Sequence, residues 1–137
     1  MLDKMEIDTN SIGKCGEFFV AGELIRHQLS IAFTPKGAKK YDILAINDIT
    51  GRQFAIQVKT TLFGTDTWIM NRDKALESKG ENIFYIFVHL HELNNPDYYI
   101  IPNNIVVDYF NNSKHSKKTF DLCKEYEKYK SAWDLLM

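Results

Sequence analysis

One stretch of the chain, from Tyr41 to Thr61, contains an acid, an amide and an amine that could form a single site. Asp42 lies near its beginning, and Gln57 and Lys59 lie two residues apart near its end. A carboxylate and an amide oxygen are suitable ligands for a hard cation such as Mg²⁺, and the lysine would place an ammonium beside them. These residue types indicate a metal site, provided that the chain folds Asp42 back onto the other two.

A β-hairpin would bring the three residues together. The polar segment 47–52, with the sequence NDITGR, separates two short apolar runs, and Asn, Asp and Gly at such a break favour a turn. The flanking runs are rich in Ile, Val, Phe and Thr, which is typical of strands. A turn centred on 49–51 sets Asp42 opposite residues 57–59, and directly opposed residues have Cβ atoms about 5 Å apart.

The alternation of side chains along the second strand separates its two faces. One face carries Phe54, Ile56 and Val58 and is predicted to point into a core. The other face carries the polar side chains and ends at Thr61; its members are Ala55, Gln57, Lys59 and Thr61.

This constellation resembles the PD-(D/E)XK nuclease superfamily. Asp42 matches the Asp at the start of one strand of the family core, and Gln57-Val58-Lys59 matches the E/Q-x-K tripeptide of the next strand in its Gln form. The order of a helix, an Asp and Q-x-K is similar to that of Mrr-type restriction endonucleases and archaeal Holliday-junction resolvases. Tyr41 stands where the family has its name-giving Pro. Gln57 stands where most active members have an acid.

The resemblance covers about residues 11–61 and includes a helix before the hairpin that often carries a Glu. Here a helix is predicted from candidate N-caps at positions 9–11 to about Leu29. Its apolar stripe is expected at three- and four-residue spacing, formed by Cys15, Phe18, Gly22, Ile25 and Leu29.

Two acids on this helix compete for the family role. Glu17 lies beside Val20, Ala21 and Leu24, at the border of the buried arc, whereas Glu23 projects toward the opposite side. We therefore expect Glu17 to face the hairpin. The alternative is a solvated Glu near the helix N-terminus, where the helix dipole favours a negative charge.

The resemblance implies a three-layer α/β fold with a central mixed sheet flanked by helices, formed by residues 1–137 as one domain. It implies a metal-dependent endonuclease that hydrolyses DNA phosphodiester bonds. Asp42, Gln57 and the Val58 carbonyl would bind Mg²⁺ or Mn²⁺, and Glu17 would hold the metal's outer water shell or a second ion. Lys59 would orient the attacking water or neutralise charge on the phosphate.

A basic loop leads directly to the predicted site. Lys36, Lys39 and Lys40 precede Asp42, and we expect them to contact the phosphates of DNA together with Thr61. The alternative is a solvated loop, which is what most lysine clusters are. The main rival function is a nucleic-acid-binding or protein-interaction module on the same fold that does not cut.

Length and composition bound these expectations. The chain has 137 residues, 45% of them hydrophobic, and a formal net charge of −1, so binding to DNA must depend on a local patch of positive charge. Cys15 and Cys123 lack metal-ligand spacing and predict free thiols in a reducing compartment. The charged N-terminus has no apolar segment typical of a signal peptide. A cytoplasmic protein is therefore expected.

Further elements are predicted along the chain: strands at 31–34, 82–90 and 98–101, and helices at 72–79, from 103 or 104 to 110, and from Thr119 onward. Trp68 is expected in the core or a flap rather than stacked on a base. His89 and His91 share a strand face, but a metal site there lacks further ligands nearby in sequence. The last helix would bury an aromatic stripe, or use it as a contact in a homodimer; its members are Leu122, Tyr126, Tyr129, Trp133 and Leu136.

Overall fold

The computed structural model describes residues 6–35, 37, 40–78, 80–112 and 118–137. The helices are α1 (Thr9–Arg26), α2 (Arg72–Glu77) and α3 (Asn103–Asn111). The strands are β1 (Leu29–Phe33), β2 (Ile43–Asn47), β3 (Gln53–Thr61), β4 (Thr67–Ile69), β5 (Ile83–His89), β6 (Asp97–Pro102) and β7 (Thr119–Asp121). Two short 3-10 helices follow, at Lys124–Tyr129 and Trp133–Leu136.

The central sheet has five strands in the order β1-β2-β3-β5-β6. Strands β3 and β5 are parallel, and the other neighbouring pairs are antiparallel. The predicted hairpin is confirmed as β2 and β3. Strand β5 lies inside the sheet and is buried on both faces along most of its length, as its unbroken apolar sequence predicts. The architecture is the expected α/β fold with a mixed sheet flanked by helices.

Helix α1 lies across one face of the sheet. Its N-cap is Asp8, whose Oδ1 accepts a hydrogen bond of 2.7 Å from the Ser11 N–H, so the caps predicted at positions 9–11 are wrong by at least one residue. The predicted apolar stripe is also wrong, because Phe18 and Ile25 are 60% and 58% exposed. The residues that the helix buries are Gly16, Val20, Ala21 and Leu24.

The opposite face of the sheet is covered by α2, α3 and a small second sheet made of β4 and β7. Trp68 of β4 is buried, and its Nε1 donates to the Val88 carbonyl at 2.9 Å. Trp68 was predicted to lie in the core or in a flap, and it lies in the core. This short strand lies between β3 and α2 in a part of the chain for which no strand was predicted.

The long helix predicted from Thr119 does not form. That region contains β7 and the two 3-10 helices instead. Tyr126 packs into the aromatic core on the α2 and α3 side, whereas Trp133 and Leu136 pack into the core under α1. A single straight helix could not bury side chains on both sides of one sheet.

Within the part of the chain that the structure describes, no helix combines the length and apolarity required to cross a membrane. Cys15 and Cys123 are free thiols and are each half-buried.

Candidate active site

The site lies where β2 and β3 part. The two strands pair from Ile43 opposite Ile56 onward to the turn, and the Asp42 N–H still donates to the Ile56 carbonyl at 2.9 Å. At the next position the ladder ends, and the Val58 N–H donates to Asp42 Oδ2 at 2.8 Å. The Asp42 carboxylate thus accepts the hydrogen bond from β3 that a backbone carbonyl of β2 would have accepted if the ladder continued.

The backbone of β3 adds a second oxygen on the same side. In an extended strand the N–H and C=O of one residue point to the same edge, so the Val58 carbonyl faces the gap that Asp42 occupies. Burial raises the pKa of Asp42, although the Val58 N–H and the Lys59 ammonium oppose this effect. The charged Asp42 carboxylate is therefore held in a place where it is less well hydrated than in water.

Gln57, Lys59 and Thr61 lie on the face of β3 that looks toward α2. They are in register with Tyr85, Phe87 and His89 of β5, and all three are half-buried. Burial lowers the pKa of Lys59, while the nearby Asp42 carboxylate raises it and Lys74 lowers it further. Lys59 is thus an amine with a reduced hold on its proton beside the Asp42 carboxylate.

Glu17 comes to this site from α1. Burial raises its pKa, and the charge of Asp42 raises it again, whereas Lys14 lowers it. The Lys14 Nζ lies 3.7 Å from Glu17 Oε1. Two half-buried carboxylates that repel each other are an arrangement that a cation would stabilise.

Glu23, the competing acid on α1, lies elsewhere. Its Oε2 is 2.7 Å from Arg26 Nη1, and its charge contributes to raising the pKa of Tyr98. The structure thus brings Glu17, Asp42, Gln57 and Lys59 to one end of the hairpin and leaves Glu23 out.

The predicted DNA-contact residues are only partly described. Lys36 and Lys39 lie outside the described residues, and Lys40 is exposed. Thr61 Oγ1 donates to the Phe63 carbonyl at 3.5 Å, a distance at the outer limit of a hydrogen bond.

Two lysines that the sequence motif does not include also lie near the site, Lys14 beside Glu17 and Lys74 near Lys59. Lys14 could have been found, since it precedes Glu17 by three residues and therefore shares its side of α1. Lys74 lies on α2, which follows β4, and acts on Lys59. The sequence gives no signal for that approach, because it depends on how α2 packs on the sheet.

The groups around Asp42 offer oxygen atoms, the type of ligand that a hard cation prefers. Asp42 and Glu17 supply carboxylates, Gln57 an amide oxygen and Val58 a carbonyl, which are the oxygen ligands that Mg²⁺ prefers. Among residues 6–35, 37, 40–78, 80–112 and 118–137, no group of three or more His, Cys, Asp or Glu could hold a metal ion. A metal here would depend on neutral oxygens and water besides the two acids.

His89 and His91 form a further cluster at the C-terminal end of β5. Their rings are stacked with centroids 3.9 Å apart. His89 Nδ1 lies 2.7 Å from Asp66 Oδ1, and His91 Nε2 lies 2.7 Å from Asp97 Oδ2. Each carboxylate thus ties a loop or strand end to its histidine.

The fold is that of restriction-endonuclease-like nucleases. The chain is similar to the bacterial homing endonuclease I-Ssp6803I, with a TM-score of 0.68 and 15% sequence identity over 96% of this chain and 92% of that one. It is also similar to the Holliday junction resolvase Hjc of Archaeoglobus fulgidus, an archaeal hyperthermophile. There the TM-score is 0.58 and the identity 13%, over 90% of this chain and 94% of that one.

No protein-family model matches the chain, and no curated protein sequence does. At identities this low the structural likeness shows the fold alone.

Proposed function

We propose that this protein is a metal-dependent endonuclease that hydrolyses phosphodiester bonds in DNA. The observation that carries the proposal is the Asp42 carboxylate, held by the Val58 N–H where β2 and β3 part, with Glu17 and Lys59 in electrostatic reach. Its fold is shared with a homing endonuclease and a Holliday junction resolvase. We further propose that Gln57-Val58-Lys59 is the Q-x-K form of the PD-(D/E)XK signature and that the chain is a single domain.

Asp42, Gln57 and the Val58 carbonyl would hold Mg²⁺ or Mn²⁺, with Glu17 on its water shell or on a second ion. A bound divalent ion would polarise the phosphoryl group and acidify an attacking water. The raised pKa values of Glu17 and Asp42 support this assignment, because a cation would relieve both their desolvation and their mutual repulsion. Sparse protein ligation is normal for Mg²⁺, which keeps several waters.

Lys59 would act on the phosphate or on the water. Its burial and lowered pKa mean that its charge is poorly solvated by water and interacts strongly with nearby charge. As an ammonium it would stabilise negative charge that develops on the phosphoryl oxygens, and it would hold the attacking water through an N–H donor. The Asp42 carboxylate favours the charged form of Lys59, because it opposes the lowering of the Lys59 pKa by burial.

The DNA backbone would approach along a local basic patch. Lys36, Lys39, Lys40 and Thr61 were assigned to phosphate contact from the sequence. We add Lys14 and Lys74, which are exposed and are electrostatically coupled to Glu17 and Lys59 respectively. With a formal net charge of −1 for the whole chain, such a patch must supply the attraction that the protein as a whole lacks.

The second candidate is a nucleic-acid-binding module on the same fold that does not cut. Gln57 favours it, because an amide replaces a charged ligand and weakens affinity for a hard cation. Cleavage that depends on Mg²⁺ and stops on chelation would exclude this alternative.

The decisive experiment changes Asp42 to Asn and Lys59 to Ala. Each variant should reduce Mg²⁺-dependent cleavage of plasmid or branched DNA to background while its thermal unfolding stays cooperative. Lys124→Ala and Asp134→Asn, at exposed positions in the two 3-10 helices, are matched controls and should cut like the wild type. Cleavage by both site variants would refute this assignment of the site.

Metal binding is tested in the free protein. Calorimetric titration with Mn²⁺ should show weak binding by the wild type and tighter binding by Gln57→Glu, because a carboxylate replaces a neutral oxygen. Identical titrations would remove Gln57 from the metal site and favour the module that does not cut.

A further inference from the structure

Helix α1 comes into close contact with β3 at Gly16. A Cβ placed on Gly16 would overlap Thr60 Oγ1 and would lie 2.9 Å from both Cβ and Cγ2 of Thr60. The other glycines of the helix, Gly13 and Gly22, have no atom within 4 Å of such a Cβ. Gly16 is in ordinary helical conformation, since it is not among the glycines with positive φ. It is therefore needed for space and not for backbone freedom.

The other side of this contact carries an unusual group. Thr60 Oγ1 is buried and has no hydrogen-bond partner within the described part of the chain. An unpaired buried hydroxyl lowers stability, and an alanine at this position would avoid that loss. The Cα hydrogen of Gly16 that replaces a Cβ points at this oxygen, which is the arrangement of a weak Cα–H···O contact. The Thr60 hydroxyl thus packs against the backbone of α1 at Gly16.

This contact adjoins the candidate site on both elements. Glu17 follows Gly16 directly on α1. On β3, Thr60 lies one strand period after Val58, the residue whose N–H holds Asp42. The contact between Gly16 and Thr60 therefore lies next to both Glu17 and Val58, the residue whose N–H holds Asp42.

We propose that Gly16 and Thr60 are positioning residues that set the separation of α1 from β3 and thereby hold Glu17 at the site of Asp42. This inference rests on the proposed nuclease function for its catalytic meaning. A side chain at position 16 would lift this part of the helix away from the strand and withdraw Glu17. Neither Gly16 nor Thr60 touches the reacting atoms in this scheme.

The test compares three glycine-to-alanine variants of one helix. Gly13→Ala and Gly22→Ala should melt at or above the wild-type temperature, because alanine favours a helix where there is room, and should cleave normally. Gly16→Ala should melt lower and lose about tenfold to a hundredfold in cleavage rate, the scale of a displacement near 1 Å at a site.

A second substitution should rescue Gly16→Ala by removing the Thr60 side chain with which the new methyl group overlaps. All three near atoms belong to the Thr60 side chain, so Gly16→Ala combined with Thr60→Gly should recover the cleavage rate of Thr60→Gly alone. Crystal structures of the wild type and Gly16→Ala would measure the separation of the Glu17 and Asp42 carboxylates, which should increase in the variant. If Gly16→Ala does not fold, the double variant gives the same comparison against Thr60→Gly.

Each outcome decides the inference. Normal cleavage by Gly16→Ala, an unchanged carboxylate separation or a failed rescue would overturn it. If the wild type does not cut at all, the nuclease proposal fails, and the crystallographic separation and the melting temperatures of the glycine series still judge the positioning role.

Discussion

The two sides of the central sheet are packed by different kinds of side chain. The side under α1 is mainly aliphatic, with a core that includes Val20, Leu24, Ile43, Ile56, Ile86 and Ile100. The side under α2 and α3 is built largely from rings, including Trp68, Tyr85, Phe87, Tyr99, Tyr109 and Phe120. Small and branched side chains allow a long helix to lie close to the sheet, as α1 does at Gly16.

The aromatic side also carries polar groups that hold irregular chain. Strands β4 and β7 have three residues each, too few to be stable alone. Trp68 Nε1 donates to the Val88 carbonyl at 2.9 Å, and Tyr109 OH accepts from the Asp121 N–H at 3.0 Å. The small sheet of β4 and β7 is thus attached to the rest of the protein by aromatic side chains that also form hydrogen bonds. The candidate site draws on both sides, since Glu17 comes from α1 and Lys59 lies in register with Phe87.

Trp68→Ala should show the largest effect, because it removes the main anchor of the aromatic side. A buried Trp changed to Ala costs about 3–5 kcal/mol, and here the Val88 carbonyl also loses its donor. Chemical denaturation measures this loss. Ile69→Ala is the matched control one residue away, because Ile69 is 84% exposed and its loss should be near zero. Equal effects would show that β4 does not anchor the aromatic side.

Tyr109→Phe tests the hydrogen bond without emptying the core. The ring remains, but the Asp121 N–H loses its acceptor, so a loss of about 1–2 kcal/mol is expected. Hydrogen exchange should show the loosening at β7 and leave the amides of β2 and β3 protected. Faster exchange throughout both sides would mean that the two sides of the sheet unfold as one unit.

Asp42→Asn should have the smallest effect and the opposite sign. Burial raises the pKa of Asp42 in the folded protein, so the folded state binds the proton more tightly than the unfolded state does. Stability therefore falls as pH rises from the ordinary Asp pKa of 3.8 through the raised value. Asn keeps an oxygen for the Val58 N–H and carries no charge. The variant should be slightly more stable than the wild type at pH 7 and lose that advantage below pH 3.8, as thermal unfolding across pH would show.

The hairpin was predictable because local signals agree there. The turn residues, the alternation along 53–61 and the opposition of Asp42 to residues 57–59 all follow from hairpin geometry. The register of β2 and β3, with Ile43 opposite Ile56, places Asp42 at the start of that range. Helix α1 was predicted in the right region, but it ends at Arg26 and not near Leu29, which belongs to β1. Its buried stripe was predicted wrongly. Phe18 and Ile25 are large and apolar yet exposed, whereas the buried face includes the small Gly16 and Ala21. A buried face predicted from the large apolar residues is therefore wrong, because the close packing of α1 at Gly16 favours small residues on the buried face.

The C-terminal region could not be predicted from periodicity. Tyr126, Trp133 and Leu136 recur at helical spacing and are buried, but they enter cores on opposite sides of the sheet. Buried residues at helical spacing indicate a helix only if all of them are buried in the same core. Nor could the sequence show that Lys74 lies near Lys59, since its place depends on how α2 packs on the sheet.

The bond between the Val58 N–H and Asp42 has a consequence for how such a protein would change over evolutionary time. In a descendant that no longer needed to cut DNA, position 42 would still need a side-chain acceptor for the Val58 N–H, which closes the open end of the β2–β3 ladder. Asparagine would supply that acceptor without the buried charge of Asp42, and an uncharged residue in place of Lys59 would likewise remove a buried charge. Among relatives that share this fold, an acid at position 42 together with the lysine is therefore the sign of a working enzyme, whereas asparagine at position 42 indicates a protein that keeps the fold without the chemistry.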